Sequence, residues 1–276
     1  MQQFPVFYKE FPPSKLLAPY VKCYAILEHN LDEGIKLSDG LGPFGCPYLT
    51  IKYRGNVWSG MAPLDGQEYA ENHVAGQMLQ LFRFHHSGNS GMLAIVFQPT
   101  GLHKFLRLPM SEFTQNFLNL ELCFGNEGNE LLERITTSAS VEEKVQHCEI
   151  FLSRWLKKSS LQMDVTDRAI ELIRQDSSLQ VDDLCKILNI SSRHLRRKFH
   201  EKVGIGPKHY IRICRFHQAI RLRRSSYQLD LMDLSLRCGF YDQSHFCSEF
   251  RKFTGKTPFE YFIKNNPNLE VGGILR

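Results

Sequence analysis

The sequence predicts an α+β chain in two parts. A small antiparallel β-sheet or barrel with helices comes first, and an all-α domain of two helix–turn–helix units joined by a connector helix follows. Three observations predict it. Residues 179–262 repeat themselves at a spacing of about fifty residues. The first hundred residues are short runs of β-branched and aromatic side chains broken by Gly, Pro, Asn and Asp. Basic residues are also concentrated where the repeat is: residues 164–264 hold 19 Lys/Arg against 12 Asp/Glu, whereas residues 1–163 hold 14 against 16.

At 276 residues the chain is long enough for two domains, each with its own core. In the first, strands are expected at Tyr20 to Glu28, Tyr48 to Tyr53, Val57 to Met61, Met78 to His85 and Met92 to Gln98. Residues 40–47 read as a loop, Arg54-Gly55-Asn56 as a hairpin turn, and Ser59-Gly60 and Gly88-Asn89-Ser90-Gly91 as further turns. Such a set of short strands suggests a small, cupin-like barrel or sheet. From Gly101 the period becomes helical: Leu102 to Leu108, a helix capped by Ser111, Glu127 to Ile135, and Ser140 to Lys158. In the last, Val141, Val145, Cys148, Leu152 and Trp155 form an apolar seam. It fits packing on the domain's own sheet or pairing with a second copy of the chain. Lys157-Lys158-Ser159-Ser160 is a polar break, which divides the chain into residues 1–160 and 161–276.

The repeat aligns Leu179 with Leu229, Asp183 with Asp233, Leu184 with Leu234, Asn189 with Gly239 and Ile190 with Phe240. After one extra residue, Tyr241, it resumes with Ser191 on Asp242, His194 on His245, Leu195 on Phe246, Phe199 on Phe250, Gly204 on Gly255 and Pro207 on Pro258. Asn189 and Gly239 are residue types that reach positive φ cheaply, so each can end a helix and reverse the chain. Ser191 and Asp242 can cap the helix that follows. Leu195, Phe199 and Val203 in one copy, and Phe246, Phe250 and Phe253 in the other, make a buried stripe. The opposite faces carry Arg193, Arg196, Arg197 and His200, then Gln243, Ser244, Ser248 and Arg251. In a helix–turn–helix the second helix enters the DNA major groove, where Arg can pair with guanine and Gln with adenine. Taken alone, an arginine run is a solvated helix face. Placed on the second helix of a unit that occurs twice, it reads as a DNA-contacting one.

Residues 164–264 resemble the DNA-binding domain of the AraC/XylS family of bacterial transcription regulators. The resemblance rests on Gly239-Phe240-Tyr241-Asp242-Gln243-Ser244-His245-Phe246, on Phe250-Arg251-Lys252-Phe253-Thr254-Gly255-Lys256-Thr257-Pro258, and on Arg215 with Ala219 and Leu222. It implies two units held by a connector, here Pro207 to Arg224, that enter successive major grooves. The connector's own stripe of Tyr210, Ile213, Phe216 and Ile220 supports a packed helix independently. Cys185 and Ser235 stand where the family usually has Ala, and both are small enough for close packing. Ser248 stands where some members carry Arg, which implies weaker base reading by the second unit. The first half resembles the regulatory domain of one branch of these regulators, from Val74-Ala75-Gly76-Gln77 and Leu93 to Gly101 through Phe105-Leu106 to Glu112-Phe113-Thr114. That implies a sensor or dimerisation module without naming a ligand.

The expected site is therefore a DNA interface. Arg193, Arg196 and Arg197 read bases in one groove, and Gln243, Ser244 and Ser248 in the next, with His245 at the edge. Ser191, Asp242, Lys198 and Arg251 fix helix ends or approach phosphates. No catalytic residue, metal or cofactor is expected, since no nucleophile elbow, phosphate loop or dinucleotide fingerprint is present. His73, His85, His86 and His103 could be imagined as metal ligands, but neighbours on a strand point to opposite faces. Tyr48, Tyr53, Trp58, Phe82 and Phe84 fit either a core or an apolar ligand pocket. Eight cysteines without a Cys-x-x-Cys pair fit a reducing cytoplasm. The start shows no secretory signal, and no run reaches the ~20 apolar residues of a membrane span. Promoter DNA is the expected partner, with RNA polymerase, a small-molecule effector and a second copy of the chain left open. The competing reading is a small-molecule- or metal-binding enzyme domain carrying a DNA-binding tail.

Overall fold

The computed structural model describes residues 6–32, 36–61, 72–157, 163–225 and 230–264. Seven antiparallel strands form one sheet: β1 (Val6–Phe11), β2 (Val21–Asn30), β3 (Lys36–Leu41), β4 (Tyr48–Met61), β5 (His73–Ala75), β6 (Phe82–Phe97) and β7 (Phe117–Asn119). Their order is β1-β2-β6-β4-β5-β7, with β3 also pairing β6. The sixteen-residue β6 is the spine. Its first half lies between β3 and β4, and its second half between β2 and β4.

Both faces of the sheet are covered, and the alternation of side chains divides the core in two. Tyr24, Ile26, Leu49, Ile51, Leu93 and Ile95 face one way. They pack under α1 (Gly101–Leu106), α2 (Leu120–Phe124), α3 (Asn126–Thr137) and α4 (Val141–Lys157). Cys23, Ala25, Leu27, Tyr48, Met92 and Ala94 face the other way, where Phe44, Met78 and Phe82 cover them. Cys148 and Leu152 of the α4 seam are fully buried in the first of these cores, so the seam packs on its own sheet.

Several turns expected from the sequence lie inside strands instead. β4 runs through Arg54-Gly55-Asn56 and Ser59-Gly60, and the proposed strands on either side are one. β6 likewise runs through Gly88 to Gly91 and joins two expected strands, while residues 78–81 precede it. The register against β6 shifts between Lys52 and Arg54 and between Arg54 and Asn56, and Gly55 and Gly88 both have positive φ. These are β-bulges, which use the same Gly and Asn chemistry as a turn. A methyl group at Gly55 would sit 2.2 Å from the Asn89 carbonyl oxygen, so the two irregular stretches need each other. β1, β5 and β7 had no counterpart in the sequence reading, and β3 takes Gly40 and Leu41 out of the expected loop. Ser111 does not cap a helix; it lies within a 3-10 turn, Met110–Phe113, that begins after Pro109. α1 ends early because Arg107 turns left-handed, at φ 58.

The expected domain boundary near residue 160 lies outside the described residues. Beyond it come α5 (Val165–Gln175), α6 (Val181–Leu188), α7 (Ser192–Lys202), α8 (Pro207–Ser225), α9 (Leu231–Arg237), α10 (Gln243–Thr254) and α11 (Pro258–Lys264). One core runs through all of them, from Ala169 and Leu184 through Leu195, Phe199 and Phe216 to Phe246 and Phe250.

The two halves are joined by polar contacts. Asp167 of α5 accepts a hydrogen bond from Thr100 at 2.5 Å and pairs with Lys104 at 2.7 Å. The Thr114 hydroxyl donates to the Gly204 carbonyl beyond the end of α7 at 2.9 Å. On α8, His217 Nε2 donates to the Pro43 carbonyl at 2.8 Å.

Candidate nucleic-acid interface

Each unit is built by the same backbone device. Asn189 has φ 52 and Gly239 φ 73, so each leaves its helix in the left-handed region, where Asn and Gly cost least. The next N–H groups then turn back to equivalent carbonyls: Ile190 to Cys185 at 3.1 Å and Phe240 to Ser235 at 3.0 Å. Both acceptors are positions where a small side chain was expected. The second helices are capped alike. Ser191 Oγ accepts from the His194 N–H at 3.2 Å, and Asp242 Oδ1 from the His245 N–H at 2.7 Å. Each cap satisfies one amide that the helix geometry leaves open.

These helices are amphipathic in the sense expected. α7 buries Leu195 and Phe199 completely, and α10 buries Phe246, Phe250 and Phe253. Arg193, Arg196, Arg197 and His200 are exposed on α7, and Gln243, Ser244, His245, Ser248 and Arg251 on α10. Each set therefore lies on the solvent side of its helix, with the capped N-terminus beside it. Lys198 differs from the rest. It is half-buried, with Nζ 3.2 Å from Glu201, so part of its charge is already compensated. Arg197 lies 3.7 Å from the same carboxylate but is well exposed. A surface pair of that kind contributes at most ~1 kcal/mol, so Arg197 can exchange it for a phosphate or a base.

Two anchors that the sequence reading did not single out hold the units in place. Glu249 of α10 is buried and bonded to both Arg212 of α8 and Lys252, the latter at 3.0 Å. Burial works to raise its pKa, but the bonds from Arg212 and Lys252 outweigh that and hold it below the usual value. Arg215 of α8, noted only as part of the family pattern, is buried and donates to the carbonyls of Ser177 at 2.7 Å and Ser178 at 3.1 Å. The connector is thus tied to the loop before α6 on one side and to α10 on the other. A buried acid three residues from a basic helix end would have been the only hint in the sequence.

The histidines considered as ligands are dispersed. His73 is buried against the Thr50 hydroxyl, His86 is buried with its ring 4.1 Å from that of His29, and His103 Nδ1 donates to the Leu108 carbonyl. Among the described residues no group of three or more His, Cys, Asp or Glu is placed to hold a metal. Tyr48 and Phe82 are core residues with stacked rings, and Tyr53 donates to Glu28 at 2.7 Å. The side chains of Trp58 and Phe84 lie outside the described residues. No helix among the described residues is long and apolar enough to cross a membrane.

Two capped, outward-facing second helices on one shared core define a duplicated helix–turn–helix DNA-binding domain. A family described as a helix-turn-helix domain matches residues 184–263, and a domain of unknown function (DUF6597) matches residues 9–119. The uncharacterized HTH-type transcriptional regulator YijO of Escherichia coli is 28% identical over 131 residues, covering 47% of this chain and 46% of that protein. The HTH-type transcriptional activator RhaR of Yersinia pseudotuberculosis is 32% identical over 80 residues, covering 29% of this chain and 27% of RhaR. The chain thus spans less than half the length of these curated relatives. Among solved structures, ToxT from Vibrio cholerae aligns over 87% of this chain and 98% of its own, with 14% identity and a TM-score of 0.48. The helix-turn-helix match and the regulator relatives support the likeness of this chain to the AraC/XylS family of transcription regulators.

Proposed function

We propose that this chain regulates transcription by binding promoter DNA sequence-specifically through residues 161–276, under the control of a sensor domain in residues 1–160. The single observation that carries this is the pair of capped second helices, α7 and α10, whose polar faces are exposed while their apolar faces share one core. Arg193, Arg196 and Arg197 read bases in one major groove. Gln243, Ser244 and Ser248 read the next, with His245 at its edge. Ser191, Lys198 and Arg251 approach phosphates, and the partial compensation of Lys198 by Glu201 makes it the weakest of the three. The basic surplus of residues 164–264 adds affinity for any duplex, which salt suppresses.

The protein is not an enzyme in this reading, and it works in the cytoplasm. RNA polymerase, and a second copy of the chain, are the further partners it implies. The test is selection from a random duplex pool with the purified chain, followed by titration of the selected and scrambled duplexes at one salt concentration. Specific reading predicts a preference of at least about a thousandfold. Equal affinity for both duplexes leaves only nonspecific, architectural binding. Turnover of a small molecule by residues 1–160 would favour the enzyme alternative.

A further inference from the structure

A carboxylate stands among the cations of the first reading face. Glu201 of α7 comes four residues after Arg197 and three after Lys198, so it shares their side of the helix, one turn further on. Its Oε2 lies 3.7 Å from Arg197 Nη1 and 3.2 Å from Lys198 Nζ. Helix stability gives no reason for an acid there. α7 ends at Lys202, and the partial negative charge of a helix C-terminus disfavours a carboxylate in the last turn. An acid that follows its base along a helix is also the weaker of the two orders.

The second unit has the opposite arrangement. In the repeat, Lys198 aligns with Glu249, Glu201 with Lys252, and Arg197 with Ser248. The Glu249 side chain is only 6% exposed and is bonded to Arg212 of the connector, which withdraws it from the reading face. Glu201, 35% exposed, stays at the surface beside the arginine assigned to a base. A carboxylate in this place acts differently on the two kinds of DNA contact. A phosphate brought to Arg197 or Lys198 also approaches Glu201, and like charges repel at that range. A guanine edge carries no charge and meets no such repulsion. Of the five N–H donors of Arg197, the Nη1 group near Glu201 leaves others for guanine O6 and N7.

We propose that Glu201 is a positioning residue that sets specificity: it orients Arg197 towards a base and weakens phosphate contacts by Arg197 and Lys198, so that the first unit discriminates between sequences. This role rests on the base reading proposed above for Arg197. It separates two effects of the basic surplus, since the same cations that hold any duplex are here turned towards one sequence.

The test is fluorescence-anisotropy titration of the full chain and its variants with the selected and the scrambled duplex over a range of salt. Glu201→Gln keeps the side chain's shape and removes its charge. It should bind the scrambled duplex about threefold to fivefold more tightly, with a salt dependence steeper by about one counterion. Affinity for the selected duplex should stay within about 1.5-fold, so the preference between the two falls at least about twofold. Misfolding does not produce that pattern, because a damaged protein loses affinity for both. Glu201→Asp, which keeps the charge, should retain the original salt dependence. With Arg197→Ala already in place, Glu201→Gln should no longer alter the preference. An equal gain on both duplexes, no gain on the scrambled one, a Glu201→Asp variant that behaves as Glu201→Gln, or a preference still altered in the Arg197→Ala background would overturn the role of Glu201. No preference between the duplexes in the unaltered chain would instead overturn the base reading itself, and the role of Glu201 with it.

Discussion

Removing Lys104 tests how the two halves are held together. Its ammonium lies 2.7 Å from Asp167 Oδ2, and each side chain is only 10% exposed. Asp167 also accepts from the Thr100 hydroxyl through its other oxygen and from the Asp164 N–H through Oδ2. Lys104→Met keeps the aliphatic stem and removes the charge, leaving a buried carboxylate without its cation. Breaking a buried pair from one side costs about 3 to 5 kcal/mol, whereas removing both partners costs much less than twice that. Lys104→Met and Asp167→Asn should therefore each destabilise by about 3 kcal/mol, and the double variant by about the same amount. The coupling from this double-mutant cycle would be about 3 kcal/mol, far beyond the ~0.5 kcal/mol expected of independent sites. Urea unfolding followed by far-ultraviolet circular dichroism measures it. Tryptophan fluorescence runs in parallel, since both tryptophans belong to the first half. Additive single effects would refute the reasoning, because the contact would then carry no energy between the halves.

Two further outcomes follow from single positions. Gly204 has φ 92, and a methyl group there would meet the Thr114 hydroxyl at 2.5 Å and the Met110 carbonyl at 2.6 Å. Gly204→Ala should thus cost at least about 2 kcal/mol in urea unfolding, while Gly206→Ala, with its nearest neighbour at 3.5 Å, stays within about 0.5 kcal/mol. Comparable losses in the two would contradict the contact. Burial, with His29 and His85 nearby, lowers the pKa of His86 to about 3. The folded state therefore binds fewer protons than the unfolded one between about pH 3 and 6.5, and stability falls as the pH drops through that window. From pH 7.5 to 5 this group alone should remove about 2 kcal/mol, so His86→Phe should show a pH dependence smaller by that amount. Identical pH profiles would contradict it.

The C-terminal half was legible because its signals are local and occur twice. Asn189 and Gly239, then Ser191 and Asp242, fix each turn and cap within a few residues, and the Leu195–Phe199 and Phe246–Phe250 spacings fix the buried face. What escaped there was long-range. Glu249 and Arg212 meet across 37 positions, Arg215 and Ser177 across 38, and neither pairing leaves a periodic trace. The first half was harder for a different reason. Gly55 and Gly88 serve bulges with residue types that also make turns, so two long strands were divided into four. β3, with the sequence KLSDGL, carries little of the β-branched or aromatic character that marks a strand. The contacts between the halves, Thr100 and Lys104 on Asp167 among them, join positions more than sixty residues apart and were not visible at all.

Methylation interference on selected DNA shows whether α7 and α10 read neighbouring stretches of one duplex. Two major-groove contact segments are expected, with centres about one helical turn, ~10.5 base pairs, apart. Arg197→Ala should erase a contact in one segment and Gln243→Ala a contact in the other. A single segment, or two that both variants weaken alike, would contradict it.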